Sequence, residues 1–239
     1  MVDNFYNNPD WVAKLAHGQA FKNPHGKHIN GMASVAGNKK SINRFIFKHF
    51  AKQFGVQRFR DLVGDSGYHK FYRSIPSGAD LPIRREDPHS DGVFFIAGVL
   101  YLTPDEFCKG GTGFYRYRAT GAEEKPPSPA WFNQHRVPDS VIKALGNYRP
   151  YRAYHESGYK SYDEFIQCIP FKTNGNRYHL SSSNEHWELR QLVPMKYNRL
   201  ILYPAFTIHK AIYEEADFDG PPENRRLTEN FFFKYPKSR

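Results

Sequence analysis

At 239 residues the chain is long enough for one substantial hydrophobic core, and its 39% hydrophobic and 16% aromatic content, with 20 Phe and 16 Tyr, argues for a sheet-built globular domain and against disorder. Two cysteines, Cys108 and Cys168, stand in neither a CxxC nor a Cys/His ligand spacing, which argues against a disulfide scaffold or zinc finger and fits a reducing cytoplasm. The formal charge of +10 favours acidic partners at long range, yet the bases are scattered along the sequence, so a solvated surface is preferred to a nucleic-acid footprint.

The opening segment carries Asp3, Asn4 and Asn7 where a secretory leader would be basic and then apolar. A short amphipathic helix is expected over residues 9–21, started by Pro9 and Asp10 with Trp11, Leu15 and Ala16 at helical spacing. A second helix is expected over residues 41–54, where Ile42, Phe45, Ile46, Phe50 and Phe54 form an apolar stripe and Lys40, Arg44, Lys48 and Lys52 lie mostly elsewhere. From Gly67 to Ile75 the pattern becomes extended, and a Pro/Gly-punctuated loop follows.

Residues 93–102, Val-Phe-Phe-Ile-Ala-Gly-Val-Leu-Tyr-Leu, are apolar on both faces and read as a strand covered on both sides. This longest apolar run is about half of a membrane span, so a soluble, cytoplasmic protein is expected. Residues 119–186 break the strand rhythm with Pro126, Pro127, Pro129, Pro138 and Pro150 and read as an insertion or lid over one mouth of the core, with a helix at 138–145. Strands resume over 187–193, 199–203 and 227–235. The expectation is one domain over 1–239, mainly β with flanking helices (α+β), with a helical N-terminal region 1–65 and the insertion or lid at about 119–186.

The residues that carry chemistry are His89 and Asp91, just before the buried strand, and His209 at the end of the second apolar run, 199–209. Two apart on an extended backbone, His89 and Asp91 project to one side. With His209 they make two imidazoles and one carboxylate, the facial set that suits non-haem Fe(II) and leaves positions open. His135, His155, His179 and His186 are rivals for the distal position, but none follows an apolar strand and precedes Arg226-Leu227-Thr228 as His209 does.

This ordered set, His89-x-Asp91, Tyr101-Leu102, His209 and Arg226-x-Thr228, resembles the Fe(II)/2-oxoglutarate-dependent dioxygenase superfamily, nearest in style to its prolyl-hydroxylase-like branch. The likeness covers about residues 81–118 and 187–235, and the opening residues 2–9 are loosely similar to bacterial and phage oxygenase-like proteins of unknown substrate. It implies a double-stranded β-helix (jelly roll, cupin-like) core and a metal site of His89, Asp91 and His209. It also implies cosubstrate binding by Arg226, Thr228 and Tyr101, with O2 as the second cosubstrate. Strand parity puts Arg226, Thr228 and Asn230 on one face with Arg225 opposite, and Ala97, Val99 and Tyr101 on one face of theirs.

The implied activity is hydroxylation of a small-molecule, amino-acid or peptide substrate with release of succinate and CO2. A nucleic-acid-modifying oxygenase and a non-catalytic jelly-roll binding protein are the alternatives. Arg84, Arg85, Tyr115 and Arg116 flank the expected metal end and are the candidate substrate contacts. The spacing between His89 and His209 is wider than in compact members of that superfamily, so no substrate carries over.

Overall fold

The computed structural model describes residues 1–21, 31–33, 40–49, 67–74, 88–92, 94–137, 158–167, 182–214 and 220–235. The chain is mainly β, in two antiparallel sheets with few helices. The first sheet has the order β1-β2-β8-β3-β6, built from β1 (Gly31–Ala33), β2 (Gly67–Ser74), β3 (Ile96–Tyr101), β6 (Leu200–Pro204) and β8 (Leu227–Phe233). The second has the order β5-β4-β7, from β4 (Gly111–Tyr117), β5 (Trp187–Pro194) and β7 (His209–Ile212). Among the described residues no helix is long and apolar enough to cross a membrane.

Helix α1 (Pro9–His17) starts where the Asn8 side chain accepts from the Trp11 amide at 3.1 Å and Pro9 presets the first turn. It ends four residues short of the expected boundary, because Gly18 follows and continues a helix poorly. Helix α2 (Lys40–His49) covers the described part of the second expected helix, with Ile42 buried, Phe45 half-buried and Arg44 and Lys48 exposed.

Strand β3 is buried along its whole length because each face meets a different layer. Ile96 and Leu100 join a cluster with Val12 and Ala16 of α1, Ile42 of α2, and Phe71, Leu227 and Phe231 of the neighbouring strands. Ala97, Val99 and Tyr101 point the other way, between the sheets, against Val193, Met195, Ile201 and Tyr203. A third cluster covers the outer face of the second sheet, where Tyr115, Tyr117 and Trp187 meet Tyr162 and Phe165 of a helix in the 119–186 segment.

That segment supplies α3 (Pro129–Gln134) and α4 (Tyr162–Gln167), while the helix expected at 138–145 lies outside the described residues. Its described parts are tied into both outer layers: Phe132 is fully buried in the α1 cluster, and Tyr162 donates to the Pro126 carbonyl at 2.8 Å. It also runs beside the end of the core that carries the two histidines. Glu124 bridges to Thr207, and the Lys125 amide donates to Phe206 O at 2.6 Å.

Two features depart from a period-of-two reading. The run 199–209 is not one strand: β6 stops at Pro204, the Thr207 amide turns back onto the Pro204 carbonyl at 2.9 Å, and His209 opens β7 in the other sheet. In β5 a bulge inserts Arg190 opposite the Phe114–Tyr115 step. Trp187 and Leu189 therefore serve the outer cluster while Val193 and Met195, of the same odd parity, serve the inter-sheet one.

The second sheet approaches itself closely at Gly111, where an added Cβ would run into the Val193 carbonyl oxygen and lie 3.0 Å from Pro194 Cα, with φ at +159°. Backbone atoms cannot step aside as a side chain can. Gly111→Ala is expected to lower stability by about 1–3 kcal/mol, the usual cost of overpacking, measured as a shifted urea midpoint. An unchanged midpoint would show that β4 and β5 separate more easily than this packing implies.

Candidate metal and anion site

His89 and His209 face each other across an isolated antiparallel bridge, exchanging backbone hydrogen bonds of 2.9 and 2.8 Å. In such a hydrogen-bonded pair both side chains rise from the same face, and the two imidazole centroids are 4.8 Å apart. Asp91 is fixed by its own backbone: its amide donates to Ala205 O at 2.7 Å, and its carbonyl accepts from Phe94 at 2.8 Å. Asp91 Oδ2 then lies 3.5 Å from His209 Nε2.

One nitrogen or oxygen from each of His89, Asp91 and His209 lies within 4.8 Å of the others. Ligands at right angles on an ion with bonds of about 2.0–2.2 Å stand about 3 Å apart, so the cluster needs only small side-chain rotations to share one cation. The His209 ring is oriented for this. Its Nδ1 lies 2.8 Å from the Thr207 carbonyl, which can only accept, so Nδ1 is turned to the backbone and Nε2 faces Asp91. Burial raises the Asp91 carboxyl, but His209 and His89 outweigh it and hold the group below its usual range, in the charged form a ligand requires.

The cluster opens into a cavity of about 250 Å³ between the sheets. His89, Asp91 and His209 line it together with Arg226, Thr228 and Asn230, the inward row of β8. Arg226 is 5% exposed. Its guanidinium reaches Gly111 O at 3.2 Å, Ile212 O at 3.3 Å and the Met195 thioether at 2.7 Å. It also lies 4.9 Å from the Tyr213 ring and 5.6 Å from the Tyr101 ring. Among the described residues it forms no ion pair: Glu229, the neighbouring acid, points away and is fully buried against Tyr6 OH at 2.9 Å and His69 Nδ1 at 2.6 Å.

Tyr101 is fully buried behind the cavity wall, its hydroxyl 2.7 Å from Thr112 Oγ1, and burial pushes its pKa up so that the phenol keeps its proton. Thr228 Oγ1 donates to Asn230 Oδ1 at 2.8 Å.

The candidate substrate contacts are placed differently. Tyr115 is buried in the outer cluster, and Arg116 pairs with Glu123 at 2.6 Å and Glu188 at 3.7 Å. Neither lines the cavity. Arg84 and Arg85 lie outside the described residues, as do His155 and His179 among the rival histidines. His135 stacks on Trp131 at 3.9 Å and His186 pairs with Glu185 at 3.3 Å; both are exposed and neither belongs to the His89–Asp91–His209 group.

Several cavity residues had no signal in the sequence. Tyr72 faces Thr228 through the β2–β8 register, Thr112 comes from β4, Tyr203 from β6, and Tyr213 directly follows β7. Burial, Asp91 and Tyr101 together raise the Tyr203 pKa well above the ordinary phenol value, and its ring packs 4.7 Å from that of His209.

The chain belongs to a family described as a family of unknown function, DUF6445, whose profile matches residues 1–168 and 163–233. No curated protein matches it.

Titration with Co(II) as an oxygen-stable probe is expected to give one tight site per chain by calorimetry. His209→Ala should weaken it by at least about 100-fold, the upper end of what even indirect contacts to a metal ligand contribute. Equal affinity of wild type and variant would mean that His209 is not a ligand.

Proposed function

We propose that this protein is an Fe(II)- and 2-oxoglutarate-dependent dioxygenase that hydroxylates a small-molecule, amino-acid or peptide substrate in the cytoplasm. The observation that carries the reading is a shared cavity: a His-Asp-His cluster and a buried guanidinium without a carboxylate partner among the described residues line the same space. A buried cation is costly unless an anion meets it. A dicarboxylic keto acid that chelates the metal at one end presents its second carboxylate to such a fork at the other.

The strand order supports a double-stranded β-helix as the core. Strands β2-β8-β3-β6 make one sheet and β5-β4-β7 the other, and the His89 segment pairs beside β7, which alternates the chain between the sheets as a jelly roll does.

When bound, Fe(II) with 2-oxoglutarate and O2 would supply the oxidising power, giving succinate, CO2 and a hydroxylated product. The chain's own part is positional. His89, Asp91 and His209 would hold the ion on one side, leaving the cavity side open. Arg226 would pair with the remote carboxylate, and Thr228, with the Tyr101–Thr112 hydroxyl pair behind it, would complete that anchor. Tyr203, Phe232 and Val99 wall the space and limit water around the reacting centre.

Two measurements test this. Anaerobic Fe(II) plus 2-oxoglutarate is expected to give a weak visible charge-transfer band in wild type that is absent in His209→Ala. Arg226→Gln should keep the metal but weaken 2-oxoglutarate at least about tenfold, as loss of charged hydrogen bonds worth about 1.5–3 kcal/mol each requires. No band in wild type, or unchanged cosubstrate affinity in Arg226→Gln, would remove the proposal.

A further inference from the structure

A second basic cluster lies on the opposite face of the first sheet, back to back with Arg226. Arg225 alternates with Arg226 and is 7% exposed. Its Nη1 reaches the Ser74 carbonyl only at 3.5 Å, and its buried Nε has no hydrogen-bond partner among the described residues. Arg73 pairs in register with Leu227, which makes Arg73 and Arg225 diagonal neighbours on one face of the β2–β8 pair. Burial lowers the Arg73 pKa, and the neighbouring Arg225 charge adds to it while Glu223 opposes.

The end of α1 closes the cluster. His17 is its last residue, and burial and the Arg73 charge both lower its pKa, with Glu223 opposing them. Its Nδ1 is also buried without a partner among the described residues. The Arg73 guanidinium lies 4.3 Å over the Phe21 ring. Stacking covers a face of the guanidinium and leaves its N–H edge available. Glu223 attracts Arg73 and His17, but it sets one negative charge against two guanidinium groups, and no ion pair among the described residues involves Arg73 or Arg225.

We propose that Arg73, Arg225 and His17 form a binding site for a phosphate-type oxyanion, distinct from the anchor at Arg226. Two forked donors and an imidazole supply more directions than a planar carboxylate has oxygens to meet, whereas a tetrahedral oxyanion fills them. The buried Arg225 Nε and His17 Nδ1 are the atoms an anion would satisfy. The site stands whether or not the chain is an oxygenase. It suits a free phosphate or a phosphate ester equally, and competition between inorganic phosphate and a simple phosphate monoester separates the two.

The probe is inorganic phosphate, titrated into the full chain at constant ionic strength and followed by calorimetry and thermal unfolding. Wild type is expected to bind saturably and to melt at higher temperature with phosphate. Arg73→Gln should bind at least tenfold more weakly, yet its melting temperature without phosphate should be equal or higher, because a repulsion has been removed. Arg225→Lys keeps the buried charge and loses the fork, and should also weaken binding. The phosphate response should persist in Arg226→Gln and with saturating 2-oxoglutarate. No saturable binding to wild type, an unchanged response in Arg73→Gln, or loss of the response in Arg226→Gln would each overturn the proposal.

Discussion

The reciprocal pair of backbone hydrogen bonds between His89 and His209 is the constraint on which the site depends. It joins the short segment before β3 to the first residue of β7, and so brings together positions far apart in sequence. Because the joint is made of main-chain groups, the relative placement of positions 89 and 209 survives a change of either side chain. Asp91 is held likewise, by its amide on Ala205. A cluster fixed in this way is organised by the fold itself, which meets the entropy of closing so long a loop.

The same economy governs the interior. Between the sheets most side chains are apolar, from Ala97 and Val99 to Val193 and Ile201. The inward row of β8 interrupts them with Arg226, Thr228 and Asn230, and the opposite row puts Leu227, Phe231 and Phe233 into the helix-covered core. One strand thus divides polar from apolar by parity. Glu229 is the exception on the apolar side, and it is met by Tyr6 and His69. Tyr6 is in turn clasped by Asn198, which accepts from its amide at 2.9 Å and donates to its carbonyl at 2.8 Å, so the N-terminal segment is fastened to the β5–β6 turn.

Much of the framework was legible in the sequence, because burial imposes patterns. Apolarity on both faces marked β3, and β5, β6 and β8 fell within about one residue to two of where their composition pointed. The mainly β class with flanking helices followed from the same signals. What escaped was fixed by tertiary pairing. His209 sits at the head of β7, since four residues of turn after Pro204 carry the chain across to the other sheet. Tyr72, Thr112 and Tyr203 come to one cavity from separate strands, and Tyr213 from just past β7, a meeting no local period encodes. Arg116 is a candidate substrate contact from its place in the sequence, but in the fold Glu123 and Glu188 engage it.

The additional residue at Arg190 carries a consequence for how the family can vary. Trp187, Leu189, Val193 and Met195 all share odd numbers, and only the bulge lets them serve two different layers. The exposed Arg190 side chain is replaceable, but its peptide unit is not. Shortening the strand by one position there would turn Trp187 inward or Met195 outward, and Met195 is the thioether beside Arg226. Chain length at this spot should therefore be inherited more strictly than amino-acid identity.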